Sequence, residues 1–326
     1  MDSVVHVVLC GNRNVLKGIA VTVRSALENS SVPLGVNLLA TDWSASDLEL
    51  LRQSWEHQKL AYVRVIDIQR RDISSFRSTA YLKSKAAYSR YYMGRIPDAE
   101  RLVYLDTDLL ISLDLAEAAA IDMDGCTLAA VRDVCVRVGD KRLDYASKLE
   151  RRLRISNGGD YFNSGFLIVD VERWRAGQAE DKLVKLSIER FDDLDSQDQD
   201  ALNVIFERDV KFLSARWNLS QYEFGAENEP EWKQPPGGCI VHLIGTVKPW
   251  HNDYNHIFKR QFEELLGRTA YAGEEPDNVA LTRKIPTWGM VLGKVRHPRE
   301  ASLSLVDAFI FKFMPSRQPT VDIHAR

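Results

Sequence analysis

Residues Arg101–Leu113 read RLVYLDTDLLISL, and this stretch decides the fold. Leu102, Val103, Tyr104 and Leu105 form a short apolar run, and Leu109, Leu110 and Ile111 resume it. Such a run predicts a central strand of an α/β sheet, apolar on both faces. A strand of that kind has little reason to carry two acids, because buried carboxylates are costly unless something neutralises them. Asp106 and Asp108 stand at i and i+2. On an extended segment they point the same way and can reach one divalent cation.

Outward from that strand, the N-terminal half alternates. Val4–Leu9 reads as a strand that ends in the polar turn CGNRN, and Val15–Leu27 has helical apolar spacing. Val36–Ala40 is a second strand. Ser46 with Glu49 suggests a capping box opening a helix through Leu60, and Tyr62–Ile68 is a third strand. This β-α-β-α-β order predicts a parallel sheet at the start of a single Rossmann-like mixed sheet flanked by helices. Thr79–Met93 and Arg142–Leu153 read as helical, as do Val171–Trp174, Ala179–Phe191 and Asp198–Phe206. Cys126–Val131, Phe166–Val169, Val210–Leu213 and Ile240–Leu243 read as strands.

The chain has 326 residues, 45% of them hydrophobic, and a net charge of −3, enough for one large α/β domain and an appendage. The near balance gives no reason to expect nucleic-acid binding. The charge is uneven: from Ala280 onward the chain carries +5, leaving −8 on the rest. Within that tail, Ser302–Met314 is apolar and aromatic with basic flanks. It suits either contact with an anionic membrane surface or a helix packed on the body. The expected division is a catalytic domain over 1–265 and a basic, partly amphipathic extension over 266–326. Four cysteines form no CxxC pair, the N-terminus lacks the pattern of a signal peptide, and no apolar run reaches membrane-spanning length. A cytoplasmic protein, peripheral at most on the inner face of the membrane, is expected.

Four motifs occur in order: VYLDTDLLI from Val103, YFNSGFLIVD from Tyr161, DQDALN from Asp198 and HLIGTVKPWH from His242. Together they resemble glycosyltransferase family 8, in particular the bacterial lipopolysaccharide and lipooligosaccharide hexosyltransferases. The resemblance covers roughly residues 4–260. It implies a GT-A type fold and a retaining, manganese-dependent transfer of galactose or glucose. The donor would be UDP-galactose or UDP-glucose and the acceptor a glycan hydroxyl, lipid-linked in these relatives. Mg2+ would be a weaker substitute for Mn2+.

The resemblance also assigns residues. Asp106, Asp108 and His242 would hold the metal. A lone histidine at a strand end is ordinarily a satisfied core residue, and the motif around His242 is what shifts that reading. Gly245 and Lys248 would meet the diphosphate, since a glycine admits a close backbone N–H and a lysine brings a point charge. Asn12 and Asn14 align with the nucleotide pocket, where the family pattern has an aspartate at the first position. An amide can still pair with a uracil edge. Arg90, Asp133 and Asn163 would lie near the donor. Asp198 would bind donor hydroxyls, and Gln199 aligns with the position nearest the reacting face. Asp200 is the adjacent carboxylate. Glutamine is a poor nucleophile, which favours same-face transfer over a covalent intermediate.

Two other readings share this core. A glycogenin-like, self-glucosylating primer needs a tyrosine acceptor within reach, and no tyrosine follows Tyr271. A non-catalytic nucleotide-sugar-binding protein would have no need of a full set of metal ligands. The loops expected to choose the acceptor are Ser75–Lys85 and Asn218–Pro236.

Overall fold

The computed structural model describes residues 4–77, 85–138, 144–224 and 236–277. Ten strands and ten α-helices are found among them. The strands are β1 (Val5–Gly11), β2 (Leu34–Ala40), β3 (Leu60–Asp67), β4 (Arg101–Leu105), β5 (Leu109–Ile111), β6 (Leu128–Arg132), β7 (Phe162–Asp170), β8 (Val210–Phe212), β9 (Leu219–Ser220) and β10 (Ile240–His242). The helices are α1 (Leu16–Asn29), α2 (Ala45–Ser54), α3 (Arg70–Ser74), α4 (Ala116–Ala120), α5 (Val134–Arg137), α6 (Tyr145–Leu153), α7 (Val171–Ala176), α8 (Ala179–Glu189), α9 (Gln197–Ile205) and α10 (Lys259–Leu266).

Seven strands form the main sheet in the order β3-β2-β1-β4-β7-β6-β8. The first four run parallel, as the alternation in sequence predicts, while β7 is antiparallel to both β4 and β6. Helices cover both faces. Along β4, Leu102 and Tyr104 enter one core and Val103 and Leu105 the other, so the period of two fills two separate interiors.

The strand predicted through the two aspartates is in fact two strands in different sheets. β4 stops at Leu105, residues 106–108 turn, and β5 joins β10 and β9 in a second, three-stranded sheet. The aspartates therefore converge because the chain turns between sheets, not because they share one face of a strand. Helix α1 backs that turn. The Thr22 hydroxyl bonds both the N–H and the C=O of Leu109, and the Ser25 hydroxyl accepts from the Ile111 N–H. Polar side chains thus satisfy the free edge of β5 where no strand does.

Other boundaries also shift. The capping box of α2 is Ser44 with Asp47, not Ser46 with Glu49, and the helix ends at Ser54, well short of Leu60. Asp47 is buried and ion-paired with Arg13 at 3.0 Å, an attraction that exposed Glu49 lacks. The described part of the predicted Thr79–Met93 helix is a 3-10 stretch over Lys85–Arg95. β7 begins four residues earlier than predicted and takes in the FNSG motif. The tail over Ser302–Met314 lies outside the described residues. Residues 266–277, by contrast, rest on the body: Tyr271 is buried in the same core as α1, and Asp277 forms a bridge with His251. Cys10, Cys126, Cys135 and Cys239 are free thiols. Among the described residues, no helix is long and apolar enough to cross a membrane.

Candidate metal and sugar-nucleotide site

The ends of β4, β7 and β10 meet at the turn that carries the aspartates. His242 closes β10 and points its Nε2 at both acids, 3.2 Å from Asp108 Oδ1 and 3.6 Å from Asp106 Oδ2. The second oxygen of each acid is engaged elsewhere. Asp106 Oδ1 accepts from Arg90 Nη2 at 2.8 Å and from the Tyr104 hydroxyl at 2.7 Å. Asp108 Oδ2 meets Lys248 Nζ at 2.5 Å. Two carboxylate oxygens and one imidazole nitrogen thus face a common point, with ligand atoms all within 4.8 Å of one another.

The spacing fits a metal. Adjacent oxygen ligands around a small octahedral cation lie roughly 3 Å apart, near the 3.2 and 3.6 Å found here. The donor set, two carboxylates and an imidazole, suits a first-row divalent ion that accepts hard oxygen ligands. Burial opposes ionisation of Asp108, but Lys248 and then His242 outweigh it and hold the carboxyl below the usual carboxylate range.

A chain of amides orients the histidine. The Asp133 carboxylate can only accept, so Asn163 turns its Nδ2 toward it at 2.9 Å. Asn163 Oδ1 then accepts from the Gly165 N–H and from Asn218 Nδ2. That leaves Asn218 Oδ1 facing His242 Nδ1 at 3.1 Å. The network places a proton on Nδ1 and turns Nε2 toward the acids, where it is the nitrogen that would meet a metal. Asn218 opens the segment expected to form an acceptor-choosing loop. It is instead 4% exposed, and β9 follows it directly. No local motif marks it, because its partners lie 24 and 55 residues away. Asn218→Ala is expected to weaken divalent-metal affinity by about 10- to 100-fold while the fold stays intact. Metal titration alongside circular dichroism would check this, and unchanged affinity would remove Asn218 from the site.

Gly165 makes room for this arrangement, since a Cβ there would overlap the His242 ring. Gly245 has φ +132°, a region disfavoured for other residues, and its Cα faces the Tyr222 hydroxyl. Arg90 is 5% exposed and committed: it bonds Asp106, pairs with Asp198 at 3.0 Å and donates to Ser164. Burial raises the Asp198 carboxyl above its usual range, and Arg90 counters it only in part.

Gln199 accepts at Oε1 from the Ser164 N–H and donates from Nε2 to Asp133 and the Tyr161 hydroxyl. Asp200 is fully buried and points away from this group. Its oxygens are taken by Arg152 at 2.6 Å, the Tyr161 hydroxyl at 2.6 Å and the Ser196 N–H at 2.8 Å. It reaches Gln199 through the Tyr161 hydroxyl. Asn12 caps the turn after β1, accepting from the Asn14 N–H at 3.0 Å, while the Asn14 side chain is exposed at the same end of the sheet.

Comparison with known proteins identifies the fold and the family. Residues 6–254 match the family model described as glycosyl transferase family 8. General stress protein A of Bacillus subtilis is 26% identical over 83% of this chain and 96% of its own. Lipopolysaccharide 1,2-glucosyltransferase of Escherichia coli K12 is 24% identical over 81% of this chain and 78% of its own. Glycosyltransferase GlyF of Streptococcus pneumoniae is 25% identical, and the match spans 57% of its length. Among solved structures, galactosyltransferase LgtC, in complex with donor and acceptor sugar analogues, superposes with a TM-score of 0.70 at 22% identity, over 81% of this chain and 96% of its own. That likeness makes the fold GT-A. With its family motifs on three adjacent strand ends and its family model spanning most of the sheet, the chain belongs to glycosyl transferase family 8 and is a glycosyltransferase.

Proposed function

We propose that this glycosyltransferase is manganese-dependent and retaining, and moves galactose or glucose from a UDP-sugar to a hydroxyl of a lipopolysaccharide-type glycan. The observation that carries the proposal is the convergence of Asp106, Asp108 and His242 on one point. Two carboxylates and an imidazole favour Mn2+, with Mg2+ a weaker substitute. When bound, such an ion stabilises the negative charge that develops on a diphosphate leaving group. Lys248, beside Asp108, is placed to add a second positive charge. Gly245, Arg90, Asp133 and Asn163 would complete the donor site, with Asn12 and Asn14 toward the base.

Retention can proceed through a carboxylate nucleophile or by attack on the face that the leaving group vacates. Asp198 is paired with Arg90, Asp200 is held by Arg152 and Tyr161, and Gln199 offers only an amide. These commitments favour same-face transfer. The bond from the anomeric carbon to the phosphate oxygen breaks as the bond to the acceptor oxygen forms. The acceptor proton passes to the departing phosphate oxygen. Asp198 would hold donor hydroxyls, and Asp200 would serve as a positioning residue behind Gln199.

The two donor hexoses follow the names of the Escherichia coli glucosyltransferase and of LgtC, and the lipopolysaccharide acceptor follows the former. A basic tail meeting anionic lipid on the cytoplasmic face would bring the enzyme to such an acceptor.

A hydrolysis panel of UDP-sugars with Mn2+, read by product anomer, tests the proposal. UDP-galactose or UDP-glucose should release its hexose with the anomeric configuration kept, and EDTA should sharply weaken UDP binding. Inversion, or UDP affinity indifferent to EDTA, would overturn it.

A further inference from the structure

The family match ends at residue 254, yet the chain returns to the site after it. Residues 271–277 end against the loop that follows β10, at Asp277. The Asp277 N–H donates to Trp250 O at 2.8 Å, and the Asn252 N–H donates to Asp277 O at 3.3 Å. Lys17, near the start of α1, locks this contact from below. It is 9% exposed, and its ammonium bonds Asp277 Oδ1 at 2.6 Å and Glu275 O at 2.8 Å, with Glu274 at 3.4 Å. An ammonium buried that far needs such partners, so Lys17 fixes where this segment can lie.

The loop it holds is the one that carries Lys248. Trp250 packs over α1 at Gly18. His251 accepts the Lys248 N–H at Nδ1, 3.0 Å away, and Lys248 reaches Asp108. A continuous set of contacts therefore runs from Lys17 through Asp277 and the 250–252 backbone to the ammonium beside the metal ligands.

We infer that residues 271–277 are a clamp, keyed by Lys17, that sets the Gly245–Asn252 loop and so the position of Lys248 at the donor diphosphate. Lys17 and Asp277 are positioning residues for donor binding. They touch no reacting atom. The role at a diphosphate rests on the function proposed above; the clamp itself does not.

The test uses the full chain with Lys17→Met, Asp277→Asn and the double variant. Hydrogen exchange should quicken by about tenfold or more at the amides of residues 248–252 in each single variant, and stay unchanged in β1. In Mn2+-dependent UDP-sugar hydrolysis, kcat should fall by about tenfold together with kcat/KM for the donor, because a misplaced lysine gives up charge on the leaving diphosphate. The double variant should be no worse than Lys17→Met alone, since that change already removes the Asp277 contact. Unchanged exchange over residues 248–252, exchange that rises equally everywhere, or single losses that multiply would each overturn the clamp. A wild-type chain that hydrolyses no UDP-sugar but shows the local exchange response would sink the proposed function and leave the clamp standing.

Discussion

Asp108→Ala should lower Mn2+-dependent sugar transfer by about a thousandfold or more, an effect of roughly 4 kcal/mol on the barrier. The residue supplies the oxygen nearest His242 Nε2, at 3.2 Å, and its other oxygen anchors Lys248. Removing it takes a ligand from the ion and the counter-charge from the lysine at once. Asp108→Asn keeps the shape and loses the charge, so it should fail nearly as badly. Lys248→Met, which spares the ligand, should cost less. Initial rates of UDP release, set beside Mn2+ titration of the same proteins, would check this. Turnover within tenfold of wild type for Asp108→Ala would remove the metal assignment.

The second large effect is expected from a residue with no functional group. Gly165→Ala adds one methyl where the His242 ring already sits. The backbone at residue 165 has little freedom to retreat, because its C=O accepts from the Asp106 N–H at 2.8 Å and its N–H bonds Asn163. The imidazole must yield instead, and with it the Asn218 contact that orients the ring. Metal affinity should fall by about 10- to 100-fold, with transfer falling at least as far. Overpacking should cost stability on the order of 1–3 kcal/mol by urea unfolding. The mechanism predicts strong non-additivity: once His242→Ala is in place, adding Gly165→Ala should cost almost no further activity. Losses that multiply would mean that the methyl acts elsewhere.

Much of the fold can be read from the chain itself. Strands β1 to β4 have local apolar runs, and the helices between them have their own periodicity, so neighbours a few residues apart carry the signal. The acids at 106 and 108 stand out because charged groups in apolar runs need an explanation, and the histidine at 242 through the family motif around it. The α2 cap shows where such reading stops. Ser44 with Asp47 and Ser46 with Glu49 fit the same spacing equally well. Arg13, from the turn after β1, settles the choice by pairing with Asp47.

Asn218 and Asp200 mark the same limit inside the site. One polar residue in an unremarkable segment proves to orient the histidine that faces the two acids. The carboxylate beside Gln199 proves to be bound to Arg152, 48 residues away. The sequence by itself determined which chemistry the chain carries and which segments form the sheet, because patterning and residue type are local properties. Only the tertiary structure decided which oxygen of each acid faces the histidine, which ring nitrogen faces the acids and which carboxylates are already committed. Those choices depend on partners brought together by strand pairing across the fold, and separation along the chain does not encode them.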